Sequence, residues 1–69
     1  MTIGSRIKRF RLQKNYTQKY LAQSLATSLA NYSKMENGII SVSNERLEKI
    51  ATILEVTLTD LTLPHGNVI

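Results

Sequence analysis

The sequence predicts an all-α protein, a compact five-helix bundle, and three observations carry that reading. Apolar residues recur at steps of three and four in successive segments, which places them on one face of a helix. Between the segments stand Ser, Thr and Asn residues and a glycine, of the kinds that start and stop helices. At 69 residues without cysteine, the chain has neither a disulfide nor a thiolate metal site to stabilise it. A dense helical core is the remaining source of stability for a single small domain.

The first segment, residues 3–13, carries Ile3, Ile7 and Phe10 on one face. Arg6, Lys8 and Arg9 point elsewhere, and Arg11 adjoins the apolar stripe. Asn15 suits the left-handed residue that ends a helix. Thr17 is expected to cap a second helix over about residues 18–25, with Leu21, Ala22 and Leu25 inward. Ala26 and Thr27 form a turn, and Ser28 caps a third helix from Leu29 to about Asn37. Ser28, Tyr32 and Met35 fall at i, i+4 and i+7 and face the core. Leu29, Ala30, Ser33, Lys34 and Asn37 are left on the opposite side. Gly38 stops this helix. After a connection over Ile39–Val42, Ser43 or Asn44 caps a fourth helix to about Leu54, with Leu47, Ile50, Ala51 and Leu54 inward. Glu45 and Lys49 form a favourable (i, i+4) pair on it. Thr57, with Asp60 three residues later, resembles a capping box for a short fifth helix whose apolar side is Leu58 and Leu61. The domain is expected over residues 1–63. A tail follows at 64–69, where Pro64 and Gly66 break the helix.

Charge is distributed unevenly along this chain. From Met1 to Lys34 there are seven basic residues (Arg6, Lys8, Arg9, Arg11, Lys14, Lys19, Lys34) and no acidic one. From Met35 onward there are two basic residues and five acidic ones, for a net charge of +4. A helical hairpin within a one-signed half is the electrostatic footprint of a nucleic-acid reader.

Other functional classes fit poorly, and no enzyme, metal or cofactor is expected. The single histidine, His65, sits in the predicted tail, so no metal-ligand cluster is available. The three glycines are isolated and make no phosphate-binding loop. No base stands beside a nucleophile in the pattern. Tyr16, Tyr20 and Tyr32 suggest packing more than a stacking surface for single strands. No apolar run approaches the roughly 20 residues that cross a bilayer, and residues 1–7 hold no signal-peptide core. A cytoplasmic protein is expected, and the absence of cysteine suits a reducing compartment.

The elements IGSRIKRFR, TQKYLAQSL, YSKMENG and LEKIATILEV, in this order and at this separation, resemble the phage repressor and Cro-type helix-turn-helix family, the Xre group of bacterial and phage regulators. The resemblance covers about Ile3 to Leu61. It implies a lambda-repressor-like five-helix domain that regulates transcription, and a second hairpin helix lying in the major groove of double-stranded DNA. The implied DNA-binding residues are Thr17, Gln18, Ser28, Leu29, Ala30, Ser33, Lys34 and Asn37. Thr17 and Asn37 would bond phosphate oxygens, and Gln18 would contact a phosphate or buttress a base contact. Lys34, and Arg9, Lys14 and Lys19 where they face the duplex, would add salt-sensitive attraction. The resemblance also implies a partly buried ion pair between Arg11 and Glu36. It further implies a weak homodimer through Val56, Leu58 and Leu61, with Leu63 just beyond.

The chain departs from the family pattern in places that bear on function. Leu29 and Ala30 hold base-reading positions where relatives often carry Gln, Ser, Arg or Asn. Neither can make a bidentate contact to a purine, although both could touch thymine methyl groups, and Asn31, Ser33 and Lys34 are left to supply polar readout. Ile39 and Ile40 replace phosphate-binding Lys or Arg, and either tuck under the bundle or meet a protein partner. Ala26 stands where glycine is usual, so a left-handed turn there costs about 1 kcal/mol. Val42 replaces a frequent proline. A second reading therefore stands beside the regulator: a protein-interaction module of an antitoxin-like or regulatory system, with weak or no specific DNA binding.

Overall fold

The computed structural model describes residues 2–62, and over them the chain forms α1 (Ile3–Gln13), α2 (Gln18–Ser24), α3 (Leu29–Glu36), α4 (Asn44–Leu54) and α5 (Leu58–Thr62), with no strand. Leu63 and the expected tail at 64–69, including His65, lie outside the described residues.

Every helix begins on a side-chain cap. The hydroxyl oxygens of Thr2, Thr17, Ser28 and Ser43 accept from the backbone N–H of Ser5, Tyr20, Asn31 and Arg46. Each such bond satisfies an orphan donor and contributes about 1 kcal/mol. At α5 the exchange is reciprocal: Thr57 N–H donates to Asp60 Oδ2 at 3.0 Å, and Asp60 N–H donates to Thr57 Oγ1 at 3.1 Å.

The first four helices also end alike. Asn15, Ala26, Gly38 and Glu55 take φ of 61°, 55°, 75° and 59°. The next N–H then reaches back five residues: Tyr16 to Arg11, Thr27 to Ala22, Ile39 to Lys34 and Val56 to Ala51, at 3.1, 3.0, 2.9 and 3.0 Å. These are Schellman closures. Only Gly38 adopts the conformation freely. Ala26 and Glu55 each hold roughly 1–2 kcal/mol of left-handed strain, and Asn15 is the better-tolerated case.

The helix α3 packs against α1 and α2, while α4 packs against α1, α2 and α5, and α5 folds back onto α1. Ile7, Leu21, Tyr32, Met35, Ile50, Leu54 and Leu61 fill the centre, and Ala22, Leu25, Leu47 and Ala51 complete it.

Four expectations need correction. Phe10 is only half-buried and packs on the edge of the core. Ser28 is exposed, because its hydroxyl is occupied in capping α3 at the surface. Glu45 and Lys49 are both exposed and form no ion pair, the pairs among the described residues being Arg11–Glu36 and Lys14–Glu55. Arg6, read as pointing away, is only 3% exposed: α5 covers it, and its Nη1 donates to the Asp60 carbonyl at 3.5 Å.

Candidate nucleic-acid interface

The site is built from the end of α3 that faces away from it. Gly4 in the first turn of α1 lies hard against the last turn of α3. A Cβ at that position would sit 2.3 Å from the Met35 carbonyl oxygen and 2.5 Å from that of Glu36, so hydrogen is the only substituent that fits. About two turns of α1 further on, Arg11 reaches the same helix end.

There Glu36 is enclosed. Arg11 Nε donates to Glu36 Oε2 at 2.6 Å and Arg11 Nη2 to Oε1 at 3.3 Å, a bidentate pair. Tyr32 Oη donates to Oε2 at 2.5 Å and Gln18 Nε2 to Oε1 at 3.1 Å. The remaining Arg11 arm, Nη1, donates to the Tyr16 carbonyl at 2.7 Å. The carboxylate thus ties α1, the α1–α2 turn, the start of α2 and α3 into one unit. Burial alone would push its carboxyl up, but the hydrogen bonds from Arg11, Tyr32 and Gln18 outweigh that and hold it below the ordinary range. The hydrogen bond to Glu36 raises Arg11, and burial followed by the same carboxylate raises the Tyr32 phenol, so both stay protonated.

With its far end clasped, α3 presents the opposite face to solvent. Leu29 is 50% exposed, and Ala30, Asn31, Lys34 and Asn37 are also exposed. Ser33 is half-buried beneath Asn37, whose Nδ2 donates to its hydroxyl at 3.4 Å. Thr17 is exposed at the start of α2; its oxygen is engaged by Tyr20 N–H, which leaves the hydroxyl hydrogen to donate. Gln18 is turned half inward by its bond to Glu36, so its amide positions the hairpin.

The basic residues divide in two. Lys8, Arg9, Lys19 and Lys34 are exposed. Arg6 and Arg11 are buried in structural roles, and Lys14 is paired with Glu55, an ion pair that raises the lysine and lowers the carboxyl. Lys14 therefore faces an acidic partner at the surface rather than standing alone. The Tyr16 and Tyr20 rings pack against each other at a tilt of 49°, with centroids 4.7 Å apart.

The residues expected at a dimer contact also separate. Leu61 is 0% exposed and belongs wholly to its own core, so it has no surface to offer a partner. Val56 is partly buried against that core, and Leu58 is 40% exposed. In the loop after α3, Ile40 tucks against the bundle while Ile39 is 68% exposed.

Among the described residues there is no cavity, no cluster of His, Cys, Asp or Glu that could hold a metal, and no helix long and apolar enough to cross a membrane. Sequence reasoning missed Gly4 and the Thr2–Ser5 capping box. A glycine in the first turn of a helix is the one signal that could have exposed the close approach.

A family model described as helix-turn-helix matches residues 7–61. No curated protein matches the chain in sequence. Among solved structures, the N-terminal DNA binding domain of SinR from Bacillus subtilis superposes with a TM-score of 0.78 at 32% identity, covering 91% of this chain and 94% of that one. A chain from a SinR protein/SinI protein complex superposes with a TM-score of 0.84 at 28% identity, covering 99% of this chain and 68% of that one.

Proposed function

This chain belongs to the helix-turn-helix family, in its Xre (phage repressor-like) group, and from that starting point we propose that it is a DNA-binding transcriptional regulator whose α3 lies in the major groove. The observation that carries the reading is the division of α3: a buried, clasped end and an exposed face with Lys34 among small and apolar side chains. Thr17 and Asn37 donate to phosphates at either end of the hairpin, and Lys19 and Lys34 supply charge. Ser28, Leu29, Ala30 and Ser33 face the base edges, and Gln18 keeps α2 in register with α3. The fold is shared with a DNA binding domain at 32% identity, which supports this assignment.

The regulator acts as a homodimer, with Leu58 and the edge of Val56 at the contact and Leu61 holding α5 in place. Two recognition helices then stand about 34 Å apart, one turn of DNA. Leu58→Asp lowers DNA affinity at unchanged thermal stability. Unchanged affinity in that variant places the dimer contact elsewhere.

A surface for a protein partner is the second reading, favoured by the exposure of Ile39 and by the SinR relative found in a complex with SinI protein. Selection of bound duplexes from a random library at two salt concentrations separates the two. The DNA reading expects enrichment of a site with two half-sites one turn apart and affinity that falls steeply with salt. No enrichment and no salt dependence favour the partner reading.

A further inference from the structure

We propose that Leu29 reads the 5-methyl group of pyrimidines, so that the protein selects thymine at the step beneath it and accepts 5-methylcytosine there. This rests on the reading that α3 lies in the major groove. Leu29 is the first residue of α3 and half of its surface is open. The hydroxyl oxygen before it is engaged, Ser28 Oγ accepting from Asn31 N–H at 3.1 Å, which leaves only its hydrogen to donate. Ala30 beside it is exposed and too short to block approach.

Leu29 and Ala30 therefore form an apolar spot on the leading turn of α3, beside the exposed Asn31. Guanine and adenine present N7 with a polar exocyclic group and cytosine presents its amine with only a hydrogen at C5, whereas thymine presents a methyl group beside its carbonyl. A leucine set against N7, O6 or an exocyclic amine removes water from that atom and returns no hydrogen bond, which is unfavourable. Against a methyl group it buries apolar surface on both sides. Selectivity thus has an attractive and a repulsive part. Lys19 on α2 and Lys34 on α3 are exposed cations of the same hairpin, which suits it to a polyanion. 5-Methylcytosine carries the same methyl at the same ring position.

The test uses the full chain and the duplex enriched from a random library, resynthesised with single thymidine-to-deoxyuridine replacements. One position per half-site weakens binding about fourfold, the worth of one methyl-sized group removed from an apolar contact. At that position a C·G pair binds about fourfold better when the cytosine is 5-methylated. In Leu29→Ala the deoxyuridine penalty disappears at unchanged melting temperature, and in Leu29→Met it persists. No penalty at any thymidine, or a penalty unchanged in Leu29→Ala, overturns the proposal while leaving the major-groove reading intact. Failure to enrich any duplex overturns the major-groove reading and this inference with it.

Discussion

At its C-terminal end α3 is held by α1 and α2, whereas at its N-terminal end, among the described residues, its side-chain hydrogen bond is the one serine cap. The held end has Gly4 of α1 against its last turn and a buried carboxylate with four donors pointing at it. The free end has Ser28 and then Leu29, Ala30 and Asn31 in solvent. Position is set by the inward side of the last turn, and chemistry is displayed on the outward face, from Leu29 to Lys34. Substitutions should therefore divide: those in the clasp cost the most stability, and those of the exposed side chains of α3, the Ser28 cap apart, change binding at nearly constant stability.

The sharpest way to break this division is to open the clasp. Arg11→Met leaves the Glu36 charge buried without its cation, which costs about 3–5 kcal/mol, against a total of roughly 3–10 kcal/mol for a domain of this size. Urea denaturation checks the loss. A cycle with Glu36→Gln should show strong coupling, and additive effects would mean that the two side chains act independently. The clasp also predicts a pH dependence. The Glu36 carboxyl is lowered from its ordinary value of 4.5, so its contribution is present above that pH and lost as the pH falls through the folded value. Glu36→Gln should lack this acid-sensitive component.

Gly4→Ala probes the same end without touching a charge. The added methyl meets backbone oxygen rather than a flexible side chain, so α1 must move, at about 1–3 kcal/mol. A melting temperature equal to that of the parent would show that the contact between α1 and α3 is looser than the geometry indicates. At the free end the effects are smaller. Ser28→Ala removes the cap and costs about 1 kcal/mol. Ala26→Gly, just before it, relieves a left-handed residue and stabilises by up to about 1 kcal/mol.

Helix boundaries were legible because caps and left-handed closures are local. Ser28, Thr57 with Asp60, Asn15 and Gly38 announce themselves within four residues of the groups they satisfy. Placing Leu29, Ala30 and Lys34 opposite Tyr32 and Met35 needed only the helical period. What escaped depends on distant partners. Arg6 is buried because Asp60, 54 residues away, comes to lie over it, and Lys14 meets Glu55 across 41 residues. Nothing near either basic residue announces such a partner. Leu58 and Leu61 look equivalent in sequence, yet the docking of α5 spends one in the core and leaves the other outside.

The most direct measurement of whether the exposed face of α3 is the DNA surface is the salt dependence of duplex binding by Lys34→Ala beside Arg46→Ala. Both remove one positive charge, but Lys34 lies on that face and Arg46 lies on α4 in the acidic half of the chain. The account predicts that Lys34→Ala weakens binding and lowers the slope of log affinity against log salt by about one, while Arg46→Ala changes neither. Equal losses from the two substitutions would contradict it and leave only diffuse attraction to net charge.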